Sequence, residues 1–245
     1  MGIKYQVNEN FFYKWTGEMA YVLGFLYADG SLEDASYLRG KYIRASSIDE
    51  YSIVLIQQIL KADHPIIKII NKSHSGHTKY FIRIGSKKMY ASLEKRGLYP
   101  NKSLTIEFPK IPGKYLADFI RGYFDGDGCV FLEMGKGKTG ARIIKKLSTI
   151  FTSGSNKFLV GLGKILSDKV LVKNKVVINS HRSFQLRYDT DDSVKLFKFI
   201  YGSKSRLFLR RKLTKYLEYF KLRPIRIDRQ VKRILKNLDY GHVAK

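Results

Sequence analysis

The chain has 245 residues, and its 46 lysine and arginine residues outnumber 21 aspartate and glutamate residues, giving a formal net charge of +25. Hydrophobic residues make up 44% of the sequence and aromatic residues 13%, which excludes a disordered basic tail and predicts one large or two smaller folded domains. Because so much positive charge repels itself, we expect a polyanionic partner, with nucleic acid favoured over an anionic membrane.

The sequence argues against a membrane span and against a structural zinc site. The charge-free stretch from Met19 to Ala28 is ten residues long, well short of the ~20 residues that cross a bilayer. The lone cysteine, Cys129, excludes an intramolecular disulfide and a multi-cysteine zinc site. We therefore expect an intracellular protein, in the cytoplasm, the nucleoid or an organelle matrix, with no membrane partner.

The first half of the chain begins with a short glycine-containing motif. Residues 22–30 read VLGFLYADG, and a basic hairpin tip with Arg39 and Lys41 follows them. The remaining patterns of this half predict a helix, two strands and a second helix, over residues 49–61, 66–72, 80–84 and 87–96.

The second half repeats this order. Residues 120–128 read IRGYFDGDG, and a tip rich in glycine and lysine follows at residues 135–140. Corresponding patterns predict a helix, two strands and a helix over residues 156–166, 170–179, 183–188 and 192–201. Three of the five prolines lie between the copies, so we predict a first half at 1–102, a linker at 103–113 and a second half at 114–245. The basic segment 204–236 is predicted to add helix that in part contacts phosphates.

Small residues recur four positions apart in both motifs: Gly24 with Ala28, and Gly122 with Gly126. A glycine inside a helix costs about 1 kcal/mol relative to alanine, so its presence indicates a packing requirement. Small residues at this spacing allow two helix backbones to approach closely. We expect the two motif helices to pack face to face.

Such packing would bring Asp29 and Asp127 together at the helix C-termini. The two carboxylates would repel each other and the negative helix ends, and a divalent cation would relieve both repulsions. Gly30 and Gly128 would then end the helices as C-caps. A single Asp-Gly pair is usually only a helix stop, but two copies with the same surroundings favour a metal site.

The paired motifs, with the order of elements after them, resemble those of the LAGLIDADG homing endonucleases in their single-chain form. The resemblance implies an α+β fold of two pseudo-symmetric αββαββα units joined at the motif helices. Each unit would contribute a four-stranded antiparallel sheet to a DNA-binding saddle. It also implies a monomer that hydrolyses phosphodiester bonds in both strands of a double-stranded DNA site of about 20 base pairs, as an enzyme of intron homing.

The resemblance also implies roles for individual residues. Asp29 and Asp127 would be catalytic and would bind the metal, with the backbone carbonyls of Ala28 and Gly126 as further ligands. These oxygen ligands suit Mg²⁺, with Mn²⁺ as a substitute and Ca²⁺ as a non-cleaving one. Asp125, which replaces Tyr27 of the first copy, is interpreted as packing or support and not as a ligand.

Four further residues correspond to positions near the metal sites in that family. The resemblance implies Lys102 as the candidate catalytic lysine of the first half and Lys212 as the candidate of the second half, with Lys204 as its competitor. Ser46 and Ser153 are predicted to position water.

DNA contacts are expected from one face of each sheet, because alternate side chains of a strand point to opposite sides. Arg83 alternates with isoleucines, Gln185 and Arg187 alternate with apolar residues, and Arg142, Ile144 and Lys146 are predicted to share a face. Arginine and glutamine can read base edges, whereas lysine mostly contacts phosphate. The predicted DNA-binding residues are Arg39, Lys41, Arg44, Lys68, Arg83, Lys136, Lys138, Arg142, Lys146, Gln185 and Arg187.

Two other functions remain open on the same scaffold. One is an RNA-binding intron maturase, and the other is a DNA-binding regulator that does not cleave. Both metal-binding acids are present, which favours cleavage. The regulator would need an added helix-turn-helix, which the basic segment after residue 204 does not clearly show.

Overall fold

The computed structural model describes residues 5–38, 40–70, 78–137, 140, 142–203 and 207–239. By its internal contacts the chain divides into two compact units, Met1–Gly126 and Asp127–Lys245. The predicted linker, residues 103–113, lies within the first of these units, and the boundary between the sequence repeats stays a prediction. No helix in the described part of the chain is both long and apolar enough to span a bilayer.

The first unit contains four helices and four strands among its described residues. Their bounds are α1 Gly17–Asp29, β1 Gly30–Ala35, β2 Gly40–Ser47, α2 Glu50–Ile59, β3 Ile67–Ile70, β4 Thr78–Gly85, α3 Lys87–Glu94 and α4 Leu116–Asp127, the last of which ends at the boundary of the unit. Side chains of Thr16, Asp49 and Ser86 cap the N-termini of α1, α2 and α3 by accepting backbone N–H groups. These caps explain where each helix begins.

The second unit repeats the order from its first strand onward and adds two helices. Their bounds are β5 Gly128–Lys136, β6 Arg142–Ser153, α5 Asn156–Val170, β7 Ile178–Ser180, β8 Ser183–Tyr188, α6 Thr190–Tyr201, α7 Arg210–Leu222 and α8 Arg229–Asp239. The helices α7 and α8 confirm that the basic C-terminal segment is helical.

Each unit holds one four-stranded antiparallel sheet, and the two sheets have the same strand order. The first runs β1-β2-β4-β3 and the second β5-β6-β8-β7. In both sheets the strand that follows a motif helix lies at one edge and pairs with the next strand along the chain. This arrangement confirms the predicted α+β fold of two repeated halves.

The inner face of each sheet packs against helices. In the first sheet Leu32, Ile43, Ala45, Ile82 and Ile84 are buried, and α2 and α3 lie against β2. In the second sheet the buried residues include Leu147, Phe151, Leu186 and Tyr188, beneath α5, α6 and α7. The opposite face of each sheet, here called the outer face, carries the polar residues that alternate along each strand with the buried ones.

One predicted strand is mostly wrong. Residues 170–179 were expected to be extended, but α5 continues to Val170 and β7 contains only Ile178–Ser180. Leu171 adopts a left-handed conformation (φ 57°) that ends α5. The chain then runs along α6, where the Lys173 backbone N–H donates to Asp192 Oδ2 (3.1 Å). This contact holds the valine-rich segment outside the sheet.

A β-bulge also changes a predicted face. The register shifts between Glu133 and Met134, so that Lys145 is the extra residue of β6. As a result Ile144 is buried (1% exposed), whereas the side chain of Lys146 is 44% exposed. The prediction that Ile144 and Lys146 share a face is therefore wrong, because the inserted residue breaks the alternation.

Candidate functional site

The two motif helices pack with their backbones in direct contact. A Cβ atom built on Gly24 of α1 would lie 2.0 Å from the Phe119 carbonyl oxygen of α4. A Cβ on Gly122 would lie 1.9 Å from the Tyr21 carbonyl oxygen. Real Cβ atoms do not approach this closely, so only glycine fits at either position. The predicted face-to-face packing at these glycines is present.

Polar side chains of α4 are buried within the same first unit. Tyr21 Oη donates a hydrogen bond to Asp125 Oδ2 (2.9 Å), and Arg121 forms a buried ion pair with Asp118. A buried charge is tolerated only when it is paired or hydrogen-bonded. Asp125 thus contacts α1 through Tyr21, which agrees with a packing or supporting role for this residue.

The C-terminal end of α1 brings the Asp29 carboxylate beside α4. A Cβ atom built on Gly126 would lie 2.4 Å from the Ala28 Cβ and 3.5 Å from Asp29 Oδ2. The lack of a side chain at residue 126 therefore leaves room for the Asp29 carboxylate next to the α4 backbone. Asp127 is the next and last residue of α4.

Gly30 serves a different purpose from the one expected of a C-cap glycine. Its φ is −104° and its ψ 158°, an extended conformation that any residue can adopt. A Cβ atom there would instead meet the Leu26 backbone oxygen at 2.6 Å. Glycine is required at this position by close approach to the helix, not by a left-handed backbone.

Lys102 lies at the same end of α1. It belongs to a short 3₁₀ turn, Lys102–Leu104, and its Nζ donates a hydrogen bond to the Tyr27 carbonyl oxygen (2.8 Å). That carbonyl is two residues before Asp29, at the negative end of the helix dipole. The ammonium group is therefore held close to the end of the motif helix.

Lys212 is the second buried lysine. Among the described side chains, Lys102 and Lys212 are the two lysines that are buried, and each is 4% exposed. Lys212 lies in the first turn of α7, which packs against β5, the strand that follows Asp127. One turn further along, Tyr216 Oη shares a hydrogen bond with Thr149 Oγ1 of β6 (2.6 Å). Its competitor Lys204 lies outside the described residues.

The sheet register changes the pairing of the two predicted serines. Ala45 pairs with Gly30 in the first sheet, and Phe151 pairs with Gly128 in the second. One position further along, Ser46 therefore corresponds to Thr152, and Ser47 corresponds to Ser153.

The hydrogen bonds of these residues agree with the register. Ser46 Oγ donates to the Asp29 carbonyl oxygen (3.3 Å). Ser153 is instead buried on the inner face and accepts the Ser155 backbone N–H (3.1 Å), as Ser47 accepts that of Asp49 (3.1 Å). The sequence did not identify Thr152 as the counterpart of Ser46, because this equivalence depends on the pairing of the strands.

Two predicted DNA-binding arginines meet on the outer face of the first sheet. Arg44 and Arg83 lie directly opposite each other in the register. The Arg83 guanidinium stacks 3.5 Å above the Tyr42 ring and pairs with Glu33 (2.7 Å). The Arg44 guanidinium lies 3.9 Å above the Phe81 ring. These aromatic platforms, which the sequence did not single out, hold both arginines over the outer face.

On the second sheet the outer face carries Gln185, Arg187 and Lys146. Arg187 Nε donates to Gln185 Oε1 (2.8 Å). Lys146 and Lys175 both pair with Asp189 (2.6 Å each). These two lysines lower the pKa of the Asp189 carboxyl to about 2.

The structure places other predicted contacts elsewhere. Lys41 and Lys68 lie on the inner-face side of the first sheet. Lys41 precedes Tyr42, which shares the outer face with Arg44, so Lys41 points to the other side. Lys68 is the cross-strand neighbour of Tyr80, which alternates with the outer-facing Phe81. Lys41 pairs with Asp34 and lies 4.5 Å from the Tyr90 ring. Lys136 lies opposite Arg142 in the strand register, on the far side of the bulge. Arg39, Lys138 and the Arg142 side chain lie outside the described part of the structure.

The oxygen atoms near the end of α1 suit a hard divalent cation. Within the described ranges, no three histidine, cysteine, aspartate or glutamate side chains form a group that could hold a metal ion. Mg²⁺ commonly binds through one or two carboxylates and keeps waters or takes substrate phosphates as its other ligands. The Asp29 carboxylate beside the glycine at residue 126 fits that mode of binding better than a cage made only of protein ligands.

Comparison with solved structures identifies the same architecture. The homing endonuclease I-WcaI bound to its DNA recognition sequence is 12% identical, with a TM-score of 0.56 over 84% of this chain and 90% of that one. I-SmaMI, bound to uncleaved DNA in the presence of calcium ions, is 13% identical, with a TM-score of 0.57 over 95% and 100%. I-LtrWI bound to target DNA is 12% identical, with a TM-score of 0.55 over 97% and 100%.

No protein-family model matches the sequence, and no curated protein matches it either. A further solved structure is described as the LAGLIDADG meganuclease I-AabMI, at 14% identity and a TM-score of 0.54. At these identities the likeness concerns architecture. The chain has the fold of the LAGLIDADG homing endonucleases.

Proposed function

We propose that this protein is a site-specific DNA endonuclease that makes a metal-dependent double-strand break. The observation that supports this most is the contact of the two motif helices at Gly24 and Gly122. This contact leaves the Asp29 carboxylate beside Gly126, one residue before the second acid. The DNA-bound state of the solved structures with this fold supports the same function.

In this proposal Asp29 and Asp127 hold a divalent cation, Mg²⁺ or Mn²⁺, with the carbonyl oxygens of Ala28 and Gly126 as further ligands. The bound cation supplies activation of a water and stabilisation of the leaving 3′ oxygen. Ca²⁺ would bind in the same way without supporting cleavage. The acids themselves position the cation at the ends of the motif helices, where the helix dipoles also favour positive charge.

Lys102 and Lys212 act as electrostatic groups of the two half-sites. An ammonium held rigidly by burial can stabilise charge that develops on phosphate oxygens, with little reorganisation during the reaction. Ser46 and Thr152 are proposed to position water, since the register makes them equivalent. This assignment moves the role predicted for Ser153 by one residue.

The outer faces of the sheets bind the DNA target, of about 20 base pairs, with the protein as a monomer. Arg44, Arg83, Gln185 and Arg187 can form hydrogen bonds with base edges in the major groove. The stacking of both arginines on aromatic rings restrains their orientation, which favours base readout over loose phosphate contact.

A cleavage selection tests this function directly. The wild-type protein is incubated with a randomised library of DNA duplexes and Mg²⁺, and cut molecules are recovered and sequenced. We expect one consensus site with cuts in both strands, and no recovery when Ca²⁺ replaces Mg²⁺. DNA binding without cuts in any metal would instead favour a non-cleaving regulator.

Substitution of the acids tests the assignment of the metal site. Asp29→Asn or Asp127→Asn should abolish double-strand cleavage, whereas DNA affinity should stay the same or rise because a negative charge near phosphates is removed. Asp168→Asn, a change of an exposed carboxylate on α5, serves as the matched control and should cut normally. Retained cutting of both strands by both single variants would refute the assignment.

A further inference from the structure

The C-terminal helix α8 carries a regular row of positive charge. Arg229, Lys232, Arg233 and Lys236 are all exposed, and their spacing places them on one side of the helix. Val231, Ile234 and Leu238 are buried on the opposite side. We refer to the four cations as the α8 basic row.

Three described acids of the C-terminal helical region and of α6 form ion pairs with residues outside this row. Asp228 pairs with Lys198, Asp191 pairs with Arg226 (2.6 Å), and Glu218 pairs with Lys215 (3.2 Å). Among the described residues, no ion pair includes a member of the α8 basic row. Among the side chains that the structure describes, these four cations, which lie within about 10 Å of helix, therefore have no carboxylate counter-ion.

The α8 basic row points away from the outer face of the second sheet. α6 packs against β6 on the inner face, and α8 packs against α6. A Cβ atom on Gly202, at the end of α6, would lie 3.5 Å from Ile234 Cδ1 on the buried side of α8. Because α6 lies between α8 and the sheet, a DNA duplex on the outer face of this sheet cannot also contact the row.

We propose that the α8 basic row is a second, sequence-independent binding surface for duplex DNA, occupied while the target lies on the outer faces of the sheets. This inference rests on the proposed function for the first duplex. A duplex carries one phosphate charge per ~1.7 Å of its axis, so a 10 Å row can meet several phosphates at once. The row contains only lysine and arginine, which position a backbone without reading sequence.

The same surface fits single-stranded RNA poorly. Recognition of unpaired bases relies on aromatic side chains for stacking, and α8 contains no aromatic residue. A helix side that carries four regularly spaced cations is suited to the regular phosphates of a duplex.

The test counts duplexes bound per protein. Sedimentation velocity is carried out at micromolar protein with a fluorescent random-sequence duplex of about 20 base pairs in excess, near 50 mM salt, where phosphate contacts are strong. We expect complexes of one protein with two duplexes in the wild type. The variant R229Q/K232Q/R233Q/K236Q should bind one duplex only. For the wild type, the slope of log K against log salt for binding of the second duplex should be about −4.

Two variants separate this inference from the proposed function. K61Q/K95Q/K164Q/K169Q removes four exposed lysines of other elements and should still bind two duplexes. R83Q/R187Q weakens the outer faces and should reduce binding of the first duplex. If α8 substitutions abolish one bound duplex while R83Q/R187Q changes nothing, the outer-face assignment fails and the α8 basic row stands.

Two results would overturn the inference. The wild-type protein could bind one duplex only, or the variant with the four α8 substitutions could still bind a second duplex. Equal losses in the lysine control would also overturn it, since general charge would then explain the effect. Tighter binding of an RNA hairpin than of duplex DNA at the row would replace the proposed partner. Circular dichroism melting of each variant checks that the fold is retained.

Discussion

Burial distinguishes Lys102 and Lys212 from the other lysines whose side chains the structure describes. Taking an ammonium group out of water is costly, and the cost must be offset by a specific partner. For Lys102 the Tyr27 carbonyl at the end of α1 supplies such a partner (2.8 Å). Lys212 is equally buried in the other half. This shared burial supports a common role close to the two proposed half-sites.

Lys102→Met and Lys212→Met should separate catalysis from binding. Each substitution removes one electrostatic group, so cleavage at saturating protein should slow by roughly ten- to a thousand-fold. The slope of log K for DNA binding against log salt should become shallower by no more than about one unit, which is the effect of a single phosphate contact. Single-turnover cleavage and salt titration measure the two quantities separately.

Lys95→Met, at an exposed lysine just after α3, is the control for the lysine substitutions and should keep the wild-type rate. Loss of the Tyr27 hydrogen bond should also lower stability, by about 1–3 kcal/mol, so rates are compared at a temperature where every variant is folded. Unchanged single-turnover rates would reduce both lysines to structural residues.

Asp189 joins two lysines and gives the second sheet a pH-dependent contact. Lys146 and Lys175 lower the pKa of its carboxyl from 3.8 to about 2. A carboxyl whose pKa is lower in the folded state stabilises the fold above about pH 4. That contribution is lost as the pH falls from about 4 to about 2.

Asp189→Asn should therefore lower the free energy of unfolding by less than about 1 kcal/mol near pH 7, because the carboxylate and Lys146 are about half exposed. The difference from wild type should vanish near pH 2. DNA affinity should rise, since two lysines of the second unit lose their counter-ion. Urea unfolding across this pH range is the measurement, and an equal difference at pH 2 and pH 7 would contradict the pKa argument.

At the level of elements, the contact between α1 and α4 depends on two glycines. Gly24→Ala or Gly122→Ala would place a Cβ atom about 2 Å from a backbone carbonyl oxygen. Overpacking of this kind costs typically 1–3 kcal/mol or more, which exceeds the gain of about 1 kcal/mol in helix propensity. We expect a net loss of stability in chemical denaturation.

Gly163→Ala in α5 is the matched control. Gly163 is also buried within a helix, but its added Cβ atom would meet the Leu186 side chain at 3.4 Å, an ordinary contact. Helix propensity then dominates, and the variant should be as stable as wild type or more stable by up to about 1 kcal/mol. Equal behaviour of the three variants would show that close backbone approach is not what the motif glycines provide.

The repeated motifs made the order of elements predictable, whereas the details of the strands were not. Helix and strand periodicity placed α2, β4 and α6 close to their observed positions. Residues distant in sequence contact both irregular segments: the Arg223 guanidinium donates to the Ile144 carbonyl oxygen beside the bulge (2.7 Å), and Asp192 accepts the Lys173 backbone N–H after α5. Such long-range contacts leave no periodic pattern in the local sequence.

The candidate site shows the same limit. The two acids could be selected from their position in the repeated motif, whereas Lys102 and Lys212 were selected by the family resemblance, which left Lys204 as a competitor of Lys212. The equivalence of Ser46 with Thr152 required the strand register, since a shift of one residue moves a side chain to the other face. The aromatic partners of Arg44 and Arg83 also became evident only from cross-strand geometry.

For the molecule as a whole, with its net charge of +25, the number of phosphates that the basic residues contact determines how binding responds to salt. A target of about 20 base pairs on the outer faces should involve on the order of ten phosphate contacts, which predicts a slope of log K against log salt near −9. Fluorescence anisotropy on the selected target, with Ca²⁺ in place of Mg²⁺ and at one protein per duplex, measures the slope. R83Q/R187Q should make the slope shallower by no more than about two units. A wild-type slope shallower than about −3 would show that the basic outer faces are not the main binding surface, and the proposed mode of DNA recognition would then fail even if the acids proved essential for cleavage.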